Sequence, residues 1–395
     1  MNKNKELNFS LVYFFRQASK MLSLIFTNIK GATFGGNLDP FYFLGIKYFF
    51  VKLRNKQLFL EFLIFVIPVC MIALLQIVGL THLNILKFFV MILKIFVCVA
   101  IMLYVKNCKV TIDLKKICKY LSLIYFFSAI LSLFSVYDPI IWRNADYTNI
   151  FDLRRLQLFY LEPSELGFHV SLVIIVLFSF WMKTCEKKEK KNLLLFLLMN
   201  IFPLYLSKSL GAIAVVILTI SLMVVYDIII NFNRKKTLII ALCMIAPIIF
   251  LVFIINSNNS LVNRFMRVLQ GNDGSVNYRI TVSMKVLNNS LSDYYYIGSG
   301  LGNVNTPQFI QRYSYLRLDQ MIVNSFLYFW TESGIFGIIY WFFLMIYILS
   351  VCFKSKNLTK MGLLTYVFIF QFMGSHFTNG LIWLIYGYSV SKENN

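Results

Sequence analysis

The chain of 395 residues has little charge for its length. Only 14% of its residues are charged and 59% are hydrophobic, and the mean hydropathy is +0.71. Because about a quarter of the residues in a soluble domain are charged, this composition excludes a soluble protein and indicates a polytopic membrane protein. The net charge of +21 therefore indicates lysine-rich membrane loops, and we expect no nucleic acid among the partners.

Residue patterns that bind metals or nucleotides are also missing. The seven cysteines form no CxxC pair and the three histidines form no HxxxH pattern, so metal catalysis has no support. The stretch Gly298-Ser299-Gly300-Leu301-Gly302 lacks the last glycine of a dinucleotide fingerprint, because Asn303 stands there. We therefore predict no cofactor. The glycines predict a turn that brings backbone amides near a substrate or closes a loop on the membrane.

Long apolar runs predict a single all-α membrane domain over residues 1–395 with about ten to twelve transmembrane helices, since only helices satisfy their own backbone in lipid. Residues 1–57 hold amphipathic and short apolar segments, and whether residues 9–53 span the membrane is left open. Residues 326–395 form the C-terminal spans. The candidate spans are 58–80, 84–105, 117–137, 165–182, 192–207, 210–230, 237–255, 326–352, 361–376 and 377–390.

Lysine and arginine in alternate loops predict the orientation, because cytoplasmic loops carry an excess of both residues. The loops rich in these residues are 52–57, 106–116, 183–191, 231–236 and 353–360. The loops that alternate with them are predicted to face outward, and these are 81–83, 138–164, 207–209 and 256–325. The first long outer loop is thus 138–164, and the second, the only long polar interval in the chain, is 256–325.

The two long outer loops contain arginine where the inner loops contain lysine. Orientation alone is indifferent to which cation is used, whereas a guanidinium group binds phosphate through two parallel hydrogen bonds. We therefore predict that an outward-facing arginine cluster binds a lipid diphosphate. The alternative is that these arginines pair with nearby carboxylates or with lipid headgroups. The outer arginines are Arg143, Arg154, Arg155, Arg264, Arg267, Arg279, Arg312 and Arg317.

Two carboxylates are candidates for acid–base or sugar-binding roles. Pro163 suits the first turn of a helix, which places Glu162 and Glu165 at its N-terminus, where the helix dipole favours negative charge. Beside two arginines, Glu162 is suited equally to orient a sugar hydroxyl or to act as a base. Glu332 begins the span after the second loop, where an ionisable residue is a functional candidate or an interfacial partner of an outer arginine. His169 is interpreted as a buried structural residue.

Five short motifs follow one another around one long outer loop between residues 138 and 340. These are Arg154-Arg155 leading to Glu162-Pro163-Ser164, Asn277-Tyr278-Arg279-Ile280, Ile297-Gly298-Ser299-Gly300-Leu301-Gly302-Asn303, Asn324-Ser325-Phe326-Leu327 and Glu332-Ser333-Gly334-Ile335-Phe336-Gly337. Each motif is weak alone, but their order resembles that of the O-antigen polymerase and O-antigen ligase superfamily of bacterial envelope glycan enzymes, and the polymerase branch is the closer match.

The resemblance implies a GT-C-like membrane glycosyltransferase without a metal, located in the bacterial plasma membrane with its site facing outward. It would join oligosaccharide repeat units carried on undecaprenyl diphosphate, with the lipid bilayer and a chain-length regulator protein as further partners. Arg154 or Arg155 and Arg279 match the essential outer arginines of the family. We predict catalytic roles for Arg279, Arg154 and Glu162. The predicted substrate-binding residues are Arg155, Arg264, Arg267, Tyr278, Asn324 and Glu332.

One position departs from the ligase pattern, because ligase-like members carry a histidine before the asparagine matched by Asn324, and this chain has Val323. The base is therefore open between Glu162 and Glu332. Two other functions compete with a polymerase. One is a ligase that attaches finished chains to a lipid core, and the other is a flippase for the lipid-linked glycan. A flippase is expected to carry polar residues along its middle spans and pseudo-repeated halves.

Overall fold

A computed structural model describes residues 42–51, 55–107, 113–135, 138–143, 154–160, 162–230, 266–320, 322–374 and 377–391, and within them the chain is almost entirely helical. The predicted all-α class is confirmed. The helices are α1 (Tyr42–Val51), α2 (Lys56–Gly79), α3 (Ile85–Lys106), α4 (Leu114–Ser132), α5 (Pro163–Lys183), α6 (Lys187–Ser207), α7 (Leu210–Ile230), α8 (Gly274–Asn277), α9 (Ser283–Asp293), α10 (Pro307–Arg312), α11 (Ser325–Ser355), α12 (Leu358–Phe370) and α13 (Gly380–Val390). The strands β1 (Trp142–Arg143) and β2 (Arg155–Leu156) form one short hairpin.

In the part of the chain that the structure describes, six helices are long and apolar enough to cross a membrane: α2, α3, α4 with the turn after it, α5, α7 and α11. The helices α12 and α13 are apolar but shorter. The protein is therefore a polytopic membrane protein. The predicted span 237–255 and the segments before residue 42 lie outside the described residues, so the count of ten to twelve spans stays a prediction.

Polar residues mark where the apolar helices begin. An asparagine or aspartate side chain at the N-cap accepts hydrogen bonds from the first free backbone N–H groups, which have no partner within the helix. Because the spans themselves are uniformly apolar, these caps define their starts more sharply than periodicity does. The caps of this kind are Asn55 before α2, Asn84 before α3, Asp113 before α4, Asn324 before α11, Asn357 before α12 and Asn379 before α13.

Two hydrogen bonds at opposite ends of the helix bundle agree with the orientation that the charge pattern predicts. At one end, Lys115 Nζ donates to Glu189 Oε1 at 2.7 Å, which joins two loops assigned to the inside. At the other end, Lys87 Nζ donates to the Asn305 carbonyl at 2.7 Å, and α3 begins there beside the second outer loop. These two contacts agree with the predicted alternation of loops, and the side of the membrane that each end faces stays a prediction.

The predicted span 326–352 coincides with α11, but this helix is broken at Gly334. This residue has φ 64° and ψ −156°, outside the helical region. The rings of Phe326 and Trp341 lie 5.0 Å apart, whereas in a continuous helix with a rise of about 1.5 Å per residue they would be separated by roughly 22 Å. The segment 325–333 therefore folds back along 335–355 as a helical hairpin. A hairpin turn of this kind is invisible to hydropathy.

Candidate functional site

The first outer loop contains a short hairpin that the sequence did not predict. Trp142 faces Leu156 and Arg143 faces Arg155 across its two strands. The Trp142 indole N–H donates to the Ser132 carbonyl at 2.9 Å, which fastens the hairpin to the end of α4. Strands of two residues are too short for an alternating pattern to reveal them. The hairpin explains how residues at the two ends of this loop come together.

Two arginines lie on one face of the hairpin, because directly opposed residues in an antiparallel pair point to the same side. Like charges in this arrangement repel each other. Arg143 relieves part of the repulsion by pairing with Glu162, with 3.4 Å between Nη1 and Oε1. Arg155 donates from Nε to the Ser207 carbonyl at 3.2 Å, at the C-terminus of α6. The negative end of the helix dipole favours a cation there.

A third cation, Lys208, follows the carbonyl that Arg155 binds. It has a left-handed backbone, with φ 47°. Partial burial, and to a lesser degree the charge of Arg155, lowers the pKa of the Lys208 ammonium group. An anion bound among these groups would relieve that repulsion. We call Arg143, Arg155 and Lys208, together with Glu162, the cationic cluster. Lys208 was not among the predicted site residues, although it is the one lysine in the loop 207–209, which is predicted to face outward.

Close helix packing brings Lys208 towards the start of α5. A Cβ added at Gly167 would lie 2.8 Å from the Ala212 Cβ and 3.0 Å from the Ser209 Cβ. Such contacts are too short for a side chain, so only glycine lets α5 approach the turn between α6 and α7 this closely. Gly167 thus holds the turn that carries Lys208 close to the start of α5, where Glu162 lies.

Glu162 lies where the sequence predicted, at the N-cap of α5 and immediately before Pro163. Its side chain is 52% exposed and its second carboxyl oxygen accepts a hydrogen bond from the Ser164 hydroxyl at 2.9 Å. Glu165 occupies the first turn, as predicted. An exposed carboxylate beside arginine can orient a sugar hydroxyl or accept its proton.

Tyr160, two residues before Glu162, belongs to a buried aromatic stack. The Tyr160 and Tyr125 hydroxyl groups are hydrogen-bonded at 2.7 Å, and the Tyr160 ring stacks on His169 at 4.8 Å. Burial, together with the neighbouring Tyr125, raises the pKa of the Tyr160 hydroxyl well above its usual value, so it keeps its proton. His169 is 3% exposed and belongs to this structural stack, as predicted.

In the second outer loop, Arg279 lies in a π-helical turn, Tyr278–Val282, between α8 and α9. Single π-turns of this kind occur frequently at functional sites. The Tyr278 hydroxyl donates to the Gln320 carbonyl at 2.6 Å. Partial burial raises the pKa of Tyr278 to about 12, so its hydroxyl stays protonated. Tyr278 therefore ties the turn that carries Arg279 to the end of the same loop.

The other predicted residues have varied surroundings. Arg264 lies outside the described residues, and the Arg267 carbonyl accepts a hydrogen bond from the Asn272 N–H at 2.8 Å. For Arg312 the pairing alternative applies, because its Nη2 lies 3.0 Å from Asp293 Oδ2. Asn324 uses its amide on the protein: Oδ1 caps α11 and Nδ2 donates to the Phe372 carbonyl at 2.9 Å.

The glycine turn 298–302 fits into the break of α11. The Ser299 N–H donates to the Thr331 carbonyl at 2.9 Å and the Gly300 N–H donates to the Glu332 carbonyl at 3.1 Å. These carbonyls would bond within the helix if α11 were continuous. A Cβ at Gly298 would lie 2.4 Å from the Gly334 nitrogen, so two backbones meet there without side chains. The turn therefore closes the second loop onto α11, and its predicted role of bringing backbone amides near a substrate stays a prediction.

Gln76 in α2 completes this junction, which we call the glycine clamp. Its Nε2 donates to the Glu332 carbonyl at 2.7 Å and to the Ile297 carbonyl at 3.1 Å. Its Oε1 accepts from the Leu301 N–H at 3.0 Å. Gln76 is fully buried, and these bonds satisfy backbone groups that no water reaches. Gln76 was not among the predicted residues, although a polar side chain within an apolar span indicates a structural or functional contact.

The Glu332 carboxyl group lies under the clamp and is fully buried. Neither carboxyl oxygen has a donor at full hydrogen-bonding geometry among the described residues. The Tyr328 hydroxyl and the Gly302 and Val304 N–H groups face it, and Lys94 supplies positive charge. The structure thus places Glu332 with α3 and the second loop, and places Glu162 with the first loop.

The family model of O-antigen ligase matches residues 193–342. The matched region includes most of α6, Lys208, α7, the second outer loop and the broken part of α11, and it excludes the first outer loop. No curated protein matches the chain. The match confirms, for less than half of the chain, the resemblance to the O-antigen ligase and polymerase superfamily of membrane glycan enzymes.

Proposed function

We propose that this protein is a bacterial membrane glycosyltransferase that polymerises oligosaccharide repeat units carried on undecaprenyl diphosphate, at the outer face of the plasma membrane. The cationic cluster carries this proposal. Arg143, Arg155 and Lys208 converge at one end of the helix bundle, and the exposed carboxylate of Glu162 lies beside them. A diphosphate needs several fixed cations, and a sugar hydroxyl needs one base.

The reaction transfers the growing glycan from its lipid diphosphate to the next lipid-linked unit. The oxygen of an acceptor hydroxyl bonds to the anomeric carbon of the donor glycan, while the bond from that carbon to the diphosphate oxygen breaks. The electron pair leaves with the diphosphate, whose charge the arginines stabilise. The hydroxyl proton passes to Glu162. Fixed charges of this kind lower the barrier because they are oriented before the charge develops.

Further roles follow from the family resemblance. Arg154 adjoins Arg155 in the first loop, and Arg279 occupies the π-turn of the second; both are proposed to hold the diphosphate. Arg264, Arg267, Tyr278, Asn324 and Glu332 stay candidates for substrate binding. A chain-length regulator protein is a proposed partner.

A ligase is the second candidate, because the matching family model is described as O-antigen ligase and supports a ligase and a polymerase equally. A ligase would transfer a finished glycan to a lipid core through the same leaving-group chemistry. Val323 stands where ligase-like members carry a histidine, which supports the polymerase over the ligase.

Deletion of the gene distinguishes these functions through the glycan that remains. We expect single repeat units at the cell surface, because a lost polymerase stops chain growth after the first unit. Retained free polymer would show a ligase instead, and absence of all surface glycan would show a flippase. Gel separation of the surface glycan by length gives the result, and the wild-type gene should restore the ladder.

The same strain tests the two arginines that match the family pattern. We expect Arg154→Ala and Arg279→Ala each to abolish long chains at unchanged protein level, because each removes a cation from the proposed diphosphate site. Lys115→Ala, at the opposite end of the bundle, is the control and should leave the ladder unchanged. A normal ladder from both arginine variants would contradict the assignment.

A further inference from the structure

Three consecutive tyrosines, Tyr294, Tyr295 and Tyr296, follow α9, and only Ile297 separates them from the glycine turn. The side chains of Tyr295 and Tyr296 are exposed, at 81% and 58%. Both residues also have left-handed backbones, with φ 48° and 61°. This conformation is unfavourable for any residue with a bulky side chain, and two in a row are rare. Strain of this kind persists only where the surroundings hold it in place.

The glycine clamp is what holds the strained pair. The Tyr296 N–H donates to the Leu291 carbonyl at 2.7 Å, and the Tyr296 carbonyl accepts from the Ile335 N–H at 3.0 Å. Two residues later, Gly298 meets Gly334 in the break of α11. The backbone is thus fixed on both sides, and the two tyrosine rings are displayed outward from a rigid base.

Polar groups suited to sugar hydroxyls lie next to the ring of Tyr294, the first tyrosine of the three. The Arg312 guanidinium lies over the Tyr294 ring at 5.1 Å from its centre and pairs with the Asp293 carboxylate. The Tyr313 hydroxyl donates to the same carboxylate oxygen at 2.8 Å, and Tyr315, 67% exposed, lies beside Tyr313. A carboxylate and a guanidinium group offer acceptors and donors in fixed directions.

We propose that the tyrosine patch, formed by Tyr294, Tyr295, Tyr296 and Tyr315 around the Asp293–Arg312 pair, is a carbohydrate subsite. It would bind one sugar ring of the glycan by stacking its apolar face on the tyrosines, while the charged pair binds its hydroxyl groups. This inference rests on the proposed function, and it deepens it by giving the glycan a second contact, separate from the cluster that would hold the diphosphate.

Membrane anchoring is the competing role, because tyrosine is common at the membrane–water interface. An anchor needs only an aromatic side chain at the right depth, which the end of any helix supplies in a relaxed backbone. It requires neither two left-handed residues nor an ordered ion pair beside the rings. The cost of the strained turn is therefore better explained by a fixed ring geometry, which stacking on a sugar requires.

Binding of free glycan tests the subsite without the lipid carrier. The probe is the single-repeat oligosaccharide released by mild acid from the lipid carrier of the deletion strain. The full chain is placed in nanodiscs of phosphatidylethanolamine and phosphatidylglycerol, and binding is measured by calorimetry. We expect a Tyr295→Ala, Tyr296→Ala double variant to weaken binding about tenfold, as truncated aromatic anchors do. Tyr295→Phe should bind as the wild type does, and so should the exposed control Tyr120→Ala at the opposite end.

A second variant separates binding from stability. Tyr295→Gly removes the ring and also relieves the left-handed strain. We expect it to raise the unfolding temperature in nanodiscs and to weaken oligosaccharide binding. Unchanged binding in both the double variant and Tyr295→Gly would overturn the subsite, as would a wild type that fails to bind the probe. Loss of membrane insertion with unchanged binding would show an anchor.

The two proposals fail separately. If deletion of the gene does not shorten the glycan, the polymerase function is wrong whatever the tyrosines bind. If the deletion shortens the glycan and the tyrosine variants still bind the probe and restore a normal ladder, only the subsite is wrong.

Discussion

The two outer loops are held in place by different parts of the chain. In the first loop, side chains make the contacts: Arg155 binds a helix end and Arg143 pairs with Glu162. In the second, backbone groups make the contacts at the glycine clamp, together with the buried side chain of Gln76. Exposed ionic contacts contribute little stability, whereas buried backbone bonds and close glycine contacts contribute much. We therefore expect substitutions in the first loop to change the free energy of unfolding little, and substitutions at the glycine clamp to lower it strongly.

The largest loss of stability is expected at the clamp. A Cβ at Gly334 would lie 2.3 Å from the Tyr296 carbonyl oxygen, in a residue whose φ of +64° already disfavours a side chain. We expect Gly334→Ala to lower the free energy of unfolding by about 4 kcal/mol, from overlap and strain together. Thermal unfolding in detergent measures this. Gly211→Ala, where a Cβ meets nothing within 4 Å, is the control; equal stability of the two variants would refute the clamp.

A smaller loss is expected when the clamp keeps its glycines and loses its amide. Gln76→Leu has a similar shape but leaves the Ile297 and Glu332 carbonyls and the Leu301 N–H without this partner. Unsatisfied buried groups cost about 1–3 kcal/mol each, and relaxation of the turn recovers part of this. We expect a net loss of about 2–3 kcal/mol in the same unfolding measurement. Gln57→Leu, at the exposed start of α2, is the matched control, and a Gln76→Leu protein as stable as that control would show that the bonds are dispensable.

The smallest loss of stability, and a large loss of activity, is expected in the first loop. The Arg143 and Glu162 side chains are 40% and 52% exposed, so Arg143→Ala should change the free energy of unfolding by less than about 1 kcal/mol. Its glycan polymerisation should fall about 100-fold, as when one fixed donor is removed from an anionic transition state. If Arg143→Ala lost both stability and polymerisation activity, or kept both, the contrast between the two loops would be wrong.

The transmembrane helices were largely predictable from sequence, and the contacts between them were not. Apolar length predicted α2, α3, α5 and α7 because each span satisfies its own backbone. Glu162 at the start of α5 was predictable because Pro163 suits the first turn of a helix and the helix dipole favours a carboxylate there. Such features depend on neighbours in the chain.

The features that the sequence did not reveal depend on residues far apart in the chain. Gly298 and Gly334 are both visible as glycines, but nothing local shows that they touch. Arg143 and Arg155 are likewise brought together only by a hairpin too short to leave a pattern. Lys208 joins them because Gly167 lets two helices approach closely. Distance along the chain, rather than chemistry, limited the prediction of the site.

The central claim is that the cationic cluster holds a diphosphate leaving group, and one assay tests it most directly. Purified wild type, Arg155→Ala, Arg155→Lys and Lys115→Ala are each incubated in nanodiscs with the lipid-linked repeat unit from the deletion strain, and the products are separated by length. We predict a ladder from wild type and Lys115→Ala, none from Arg155→Ala, and a shortened one from Arg155→Lys, because lysine keeps the charge but not the paired hydrogen bonds. A full ladder from Arg155→Ala would contradict the account.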